Sequence, residues 1–214
     1  MDLVEEIVPL RDRELAVLRP RDAESLLDEE AFEREERMPY WAELWPSGVA
    51  LARALAGRAL GGRRVVELGC GGLALPSIAA ALGGPRVLAT DWSAEALALA
   101  ERNAERNGAA IETAACAWER PAELVRRGPW DLVLAADVLY EQRNVSLLLE
   151  LLPRLGGEVW LADPNRPALP EFLAGAAERG FAVSSTGARE PPGVGVHRLS
   201  RGPGAVGAPG RSPP

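Results

Sequence analysis

The chain of 214 residues contains no lysine; all 24 of its basic residues are arginine. The plainest source of that bias is a GC-rich codon supply, yet one consequence is firm. No lysine of this chain serves as a nucleophile, a Schiff-base former or a self-modification site. Histidine is nearly missing too. His197 stands alone toward the C-terminal end, so a Ser-His or Cys-His hydrolase would depend on that one ring. Two cysteines, Cys70 and Cys116, are too few for a disulfide framework or a zinc site, and they fit a reducing cytoplasm. No metal site is expected. No apolar run approaches the ~18 residues of a membrane span. The stretch Met1-Asp-Leu-Val-Glu-Glu6 is acidic where a signal peptide begins basic. A cytoplasmic protein with no membrane partner is the expectation. At a net charge of −7 the chain also lacks the footprint of a general nucleic-acid binder, although a local basic groove is compatible with that total.

What is present is ordinary in amount, 47% hydrophobic and 26% charged, and suffices for one well-cored domain with a short appendage at each end. The chain is organised around Arg64-Val-Val-Glu-Leu-Gly-Cys-Gly-Gly-Leu-Ala-Leu-Pro-Ser77. It reads as a buried strand, a glycine turn and a helix with Pro76 in its first turn, where a missing N–H has no partner to lose. Gly69 and Gly71 permit a sharp turn and a close ligand approach. The N–H groups of the following helix are expected to seat an anion. Asp91, closing a second strand at 86–90, is placed to accept hydrogen bonds from ribose hydroxyls. These features describe a site for an adenosine-containing cofactor.

Residues 1–37 form an N-terminal extension, with 3–8 and 15–18 able to pair as a hairpin before an acidic run at 28–36. Met38-Pro-Tyr-Trp-Ala-Glu-Leu-Trp-Pro-Ser-Gly48 then packs Tyr40, Trp41 and Trp45 between prolines, with Ser47 as cap of a helix through Ala56. Those aromatics either pack as a staple or line a pocket. Beyond the glycine turn the pattern predicts helix 76–82, strand 86–90, helix 93–107 capped by Ser93, strand 110–116, helix 121–126 and strand 132–136. Helix 145–155, strand 158–162, helix 169–179 and strands 181–185 and 194–199 follow. Residues 201–214, nearly all Gly, Pro, Ala and Arg, read as a disordered tail. Alternating strands and helices predict an α/β fold, a parallel sheet with helices on both faces. The last two strands, with no helix between them, are expected to pair antiparallel. Ligands of such sheets bind at the carboxyl ends of the strands, which directs attention to the loops at 69–75, 91–93, 117–119, 137–140 and 163–166.

Gly69, Gly71 and Ala74 satisfy a dinucleotide fingerprint with Asp91 at the right distance, so a nicotinamide-dependent oxidoreductase is an open alternative. Against it stand the helix and aromatic loop before the first strand and the antiparallel strand pair at the end. Glu67, before the first glycine, disfavours a pyrophosphate and suits a cationic amino group. Val66-Glu-Leu-Gly-Cys-Gly71, Asp91 and a strand closed by Asp137 resemble the seven-stranded, Rossmann-like class I S-adenosylmethionine-dependent methyltransferases, over residues 38–200. Pro39-Tyr-Trp-Ala-Glu-Leu-Trp-Pro-Ser-Gly48, Trp118, Asp137-Val-Leu-Tyr140 and Ala162-Asp-Pro-Asn-Arg-Pro167 resemble more narrowly the protein-lysine methyltransferases. Among these they resemble the branch that modifies the electron transfer flavoprotein β subunit.

The resemblance implies S-adenosyl-L-methionine as cofactor. Trp45 would flank its methionine part, while Glu67 and the backbone of Gly69, Cys70 and Gly71 hold the amino acid end. Asp91 would take the ribose, Trp92 the adenine, and Trp118 with the backbone at Ala136 the remaining walls. The pattern departs at Gly72-Leu73, where either Gly72 is an insertion or Leu73 occupies a glycine site. The implied partner is a protein presenting a lysine: the electron transfer flavoprotein β subunit, or a ribosomal or other cytosolic protein. A lysine amine, with a free pKa of ~10.4, must lose its proton before it attacks a methyl group. Asp137 is the chosen orienting acid, with Tyr140, Tyr40 and Trp41 as walls that contact a cation through their faces. Arg166 is placed to hold an acidic substrate group. Plainer readings stay open: Asp137 as a strand-end backbone ligand, Tyr140, Trp92 and Trp118 as packing, Cys70 as a small turn residue, and 163–166 as a turn. Three other functions compete, namely a small-amine or nicotinamide-type N-methyltransferase, a non-catalytic interaction module and the oxidoreductase.

Overall fold

The computed structural model describes residues 1–22, 40–188 and 191–202. The acidic run at 28–36 and the tail beyond 202 lie outside the described residues. Strands β1 (Leu3–Pro9) and β2 (Glu14–Pro20) form the expected antiparallel hairpin. Helix α1 (Pro46–Leu55) precedes β3 (Arg64–Leu68), α2 (Leu75–Ala81), β4 (Arg86–Asp91), α3 (Ala94–Arg106), β5 (Glu112–Ala115) and α4 (Ala122–Arg127). Then come β6 (Leu132–Ala136), α5 (Gln142–Leu155), β7 (Glu158–Asp163), α6 (Leu169–Glu178), β8 (Ala182–Gly187) and β9 (Gly195–Ser200).

Seven strands form one sheet in the order β5-β4-β3-β6-β7-β9-β8. The five from β3 to β7 are parallel, and β9 runs antiparallel to both of its neighbours, β7 and β8. The expected C-terminal pair is therefore present, with its second strand inserted beside β7. The central strands are apolar on both faces because both are covered. Val65, Leu132, Leu134, Trp160 and Ala162 face the side holding α1 and α2. Val66, Val133, Ala135, Val159 and Leu161 face the side holding α4, α5 and α6. This alternation is the two-residue period of a strand read twice.

Two expectations are corrected. Ser47 does not cap α1. Pro46 suits the first helical position, so the helix starts earlier, Trp45 is the boundary residue and the Ser47 hydroxyl is buried without a partner. Nor is the hairpin an appendage. Val8, Leu15 and Val17 join the main core, and two side-chain amides, one in α3 and one on the residue that caps its C-terminus, hold its second strand. Asn107 Oδ1 accepts from Ala16 N–H at 3.0 Å, and Asn103 Oδ1 accepts from Leu18 N–H at 2.7 Å. Asn103 Nδ2 also donates to Leu18 O and to Gly72 O, each at 2.9 Å, tying the hairpin and the glycine turn to one helix. Asn103→Ala strands buried backbone partners, so a loss of ~3 kcal/mol in urea unfolding is expected, with cofactor affinity falling in parallel.

Candidate functional site

The strand order reverses around β3, so a crevice opens above the carboxyl ends of β3 and β6. A cavity of about 330 Å³ lies there. Tyr40, Trp41 and Trp45 enter it from the loop before α1, and Glu67, Gly69, Cys70 and Gly71 from the end of β3. Asp91 and Trp92 follow β4, Trp118 follows β5, Ala136, Asp137 and Tyr140 close β6, and Arg166 follows β7. The candidate residues read from the sequence thus share one space. Glu43, Glu119, Glu141, Arg143 and Asn144 also line it. The last three escaped sequence reading because α5 begins at Gln142, a turn ahead of its apolar stripe.

The glycine turn is built from left-handed residues, with φ of +67° at Gly69, +59° at Gly71 and +45° at Ala74. Leu73 is buried and occupies no glycine site; the third left-handed position falls on Ala74. Gly72 is there for space, since a Cβ would stand 2.8 Å from Leu99 Cδ2. A Cβ at Gly69 would come within 3.3 Å of the Trp118 ring, and one at Gly71 within 3.3 Å of Trp41 O.

The expected anion seat is corrected. Cys70 N–H donates to Thr90 O at 2.9 Å, Gly71 N–H to Asp91 Oδ2 at 3.0 Å, and Gly72 N–H to Trp41 O at 2.8 Å. The first turn of α2 is met by Glu67, whose Oε2 accepts from Ser77 N–H at 2.8 Å and from the Ser77 hydroxyl at 2.5 Å. The Ser77 N–H, a first-turn donor that an anion would use, is therefore taken by an internal carboxyl. Glu67 is only 1% exposed, and burial pushes its pKa up to about 8, against the two hydrogen bonds from Ser77. Between about pH 4.5 and about pH 8 the folded chain holds a proton that the unfolded chain has lost, so stability falls as pH rises through that window. Glu67→Gln is expected to flatten this fall, by an amount on the order of several kcal/mol, in urea titrations across the same range.

Asp91 bridges two elements: Oδ2 takes Gly71 N–H, and Oδ1 takes Ser93 N–H at 3.0 Å. Ser93 caps α3 as expected, its side chain accepting from Ala96 N–H. Trp92 is 39% exposed at the cavity rim, so it is not core. Trp45 Nε1 donates to Tyr40 O at 2.7 Å, and the Tyr40 ring meets Tyr140 edge-on at 5.2 Å. The buried part of Tyr140, with Glu141 beside it, holds its phenol above the ordinary range and so protonated. Burial likewise raises the Cys70 thiol well above its usual pKa, which fits a turn residue.

Asp137 sits in the left-handed region at φ +60°, a conformation that costs of order 1–3 kcal/mol outside glycine. Its N–H donates to Ala162 O at 2.9 Å, and its side chain is buried. Oδ1 receives both Arg166 Nε at 2.6 Å and Nη2 at 2.5 Å. Arg166 therefore does not stand free for an acidic substrate group; its charge is met within the chain. The turn that aims it is itself fixed. Asp163 Oδ1 accepts from Arg166 N–H at 2.7 Å, and the left-handed Asn165 donates to Gly193 O at 2.7 Å. Arg143, the other arginine lining the cavity, pairs with Glu141.

Comparison with known sequences decides the family. The lysine methyltransferase pattern matches residues 30–159, more than half of the chain. The chain belongs to the lysine methyltransferase family. It is 36% identical over 142 residues to the electron transfer flavoprotein beta subunit lysine methyltransferase of Xenopus laevis, covering 60% of this chain and 53% of that protein. To the protein N-lysine methyltransferase METTL21A of Danio rerio it is 33% identical over 127 residues, covering 56% of this chain and 57% of that one. The chain spans about half the length of the first curated relatives it matches. Among solved structures, the ribosomal protein L11 methylase of Lactobacillus delbrueckii subsp. bulgaricus aligns with a TM-score of 0.56 at 28% identity, over 71% of this chain and 76% of that one. The 16S rRNA N2 G1207 methyltransferase of T. thermophilus, solved with AdoMet and guanosine, gives a TM-score of 0.66 at 12% identity, over 93% of this chain and 50% of that one. At that identity it shows the shared fold alone.

The cavity of this lysine methyltransferase family member fits S-adenosylmethionine and not a pyrophosphate. Among the described residues that line it, the acids Glu43, Asp91, Glu119, Asp137 and Glu141 outnumber the two arginines, both of which are ion-paired, while the raised pKa of Glu67 leaves that carboxyl neutral near pH 7. Such a lining favours a ligand with cationic ammonium and sulfonium groups. Gly69 and Gly71 border the cavity without side chains, and the Asp91 carboxylate lines it at the end of β4, where a ribose diol would lie. Among the described residues no group of three or more His, Cys, Asp or Glu is gathered to hold a metal.

Proposed function

We propose that this chain transfers a methyl group from S-adenosylmethionine to the ε-amino group of a lysine on a protein. Bound there, the cofactor supplies an electrophilic methyl on a sulfonium; the chain supplies alignment and charge. In this reading Asp91 holds the ribose, Trp92 and Trp118 border the adenine, and Ala136 presents backbone beside them. Trp45, Glu67 and the backbone at 69–71 surround the methionine end. Asp137 orients the acceptor amine, and Tyr40, Trp41 and Tyr140 form its channel.

The observation that carries the reading is the junction of two unlike halves in one cavity. A floor that carries the Asp91 carboxylate beside the protonated Glu67 meets an aromatic mouth where Tyr40, Trp92 and Tyr140 remain about two-fifths exposed, at 41%, 39% and 38%. A mouth left open in this way suits a side chain presented by a larger partner more than an enclosed small amine. The electron transfer flavoprotein β subunit is the proposed acceptor, supported by the names of the relatives and by the loop motif at 39–48. The cytoplasm is the proposed compartment, which the free thiols Cys70 and Cys116 suit.

The test is incubation of purified β subunit, and in parallel of whole cell lysate, with the chain and methyl-labelled S-adenosylmethionine, followed by mass spectrometry of peptides and small molecules. A methylated lysine is expected. An unmodified β subunit beside another methylated lysate protein would move the acceptor while keeping the chemistry. Label confined to small metabolites would favour the small-amine reading.

A further inference from the structure

The acid placed to orient the acceptor is not a free anion. The two close contacts from Arg166, through Nε and Nη2, both fall on Asp137 Oδ1. Several other ionisable groups of the described residues near it are held within the chain. Glu67 is held by Ser77, Asp91 by two backbone N–H groups, Arg143 by Glu141, and Asp163 lies behind the Arg166 turn, whose N–H it accepts. The Tyr140 phenol is neutral. Arg166 is thus the guanidinium that sets the charge of the Asp137 end of the cavity.

We infer that Arg166 is a positioning residue that keeps the acceptor amine neutral, by cancelling the charge of Asp137 while leaving its second oxygen to accept a hydrogen bond. This inference rests on the methyltransferase reading above. A bare carboxylate beside a lysine favours the ammonium form, which has no lone pair to attack with. A carboxylate paired with arginine still accepts an N–H from the neutral amine and so aims it, but it pays little reward for the extra proton. Arginine suits the task because its guanidinium stays charged through the working range and engages a carboxylate in fixed geometry. The left-handed backbone at Asp137 and the braced turn at 163–166 are the local devices that hold the pair in register.

A binding experiment tests this without a protein substrate. Sinefungin carries an amine on carbon where S-adenosylmethionine has its methylated sulfur, whereas S-adenosylhomocysteine carries neither methyl nor amine there. Calorimetry at neutral pH compares the two on the wild-type chain, Arg166→Gln and Arg166→Lys. Arg166→Gln is expected to bind sinefungin roughly ten-fold tighter, the factor of one pK unit, with S-adenosylhomocysteine affinity within about two-fold of wild type. Arg166→Lys, which keeps the charge, should stay near wild type for both. If the two ligands shift together, or if the Gln and Lys variants behave alike, Arg166 is merely structural and the inference falls. If the wild-type chain binds neither ligand, the cofactor reading itself is overturned.

Discussion

Asp91→Ala is expected to weaken S-adenosylmethionine binding by roughly 10²–10³-fold, the equivalent of losing two hydrogen bonds to a charged group. Asp91 ends β4 beside the cavity, and its carboxylate already joins Gly71 N–H to Ser93 N–H. One change therefore removes the proposed ribose acceptor and loosens the glycine turn against α3. Asp91→Asn keeps one acceptor oxygen and should lose only about ten-fold. Calorimetry of both variants, with urea midpoints measured alongside, separates ligand contact from folding. The same titration on the wild-type chain is expected to give heat with S-adenosylmethionine and none with NADH. Heat from NADH alone would restore the dinucleotide reading that Glu67, a β3 residue whose carboxyl takes the Ser77 N–H of α2, opposes.

The second large effect is at Asp137. Asp137→Asn should lower kcat by about 10²–10³-fold, the scale of removing one preorganised polar group from a reacting centre. It abolishes the anion that holds Arg166, so a cation is left unpaired in a cavity that must also accept a sulfonium. Cofactor affinity is thus expected to fall as well, which distinguishes this variant from one that only misplaces the amine. Full activity in Asp137→Asn would remove both the orienting role and the pairing argument.

The features legible in the sequence are those with a local signature. Gly69 and Gly71 announce left-handed backbone, Asp91 and Asp137 fall at strand ends, and Tyr40, Trp41 and Trp45 crowd a loop between prolines. The α/β alternation also predicts where strand ends gather, so the loops singled out as functional meet in one cavity. What stayed hidden depends on partners distant in the chain. Glu67 meets Ser77 ten residues on, Arg166 meets Asp137 across two strands, and Asn103 meets Leu18 across most of the domain. Glu67 and Arg166 read from the sequence as groups that face a ligand, and their internal partners come into view only once the sheet is assembled. The insertion of β9 beside β7 is equally non-local, since antiparallel pairing predicts a hairpin but not which of its strands lies inside.

The most direct test of the central claim is chemical analysis of the methylated product. Cell lysate freed of small molecules is incubated with the chain and methyl-labelled S-adenosylmethionine, and the labelled protein is hydrolysed to amino acids. Label is expected in N-methylated lysine and is lost with Asp91→Ala. Label in nucleic acid, in another amino acid or in no macromolecule would contradict that claim.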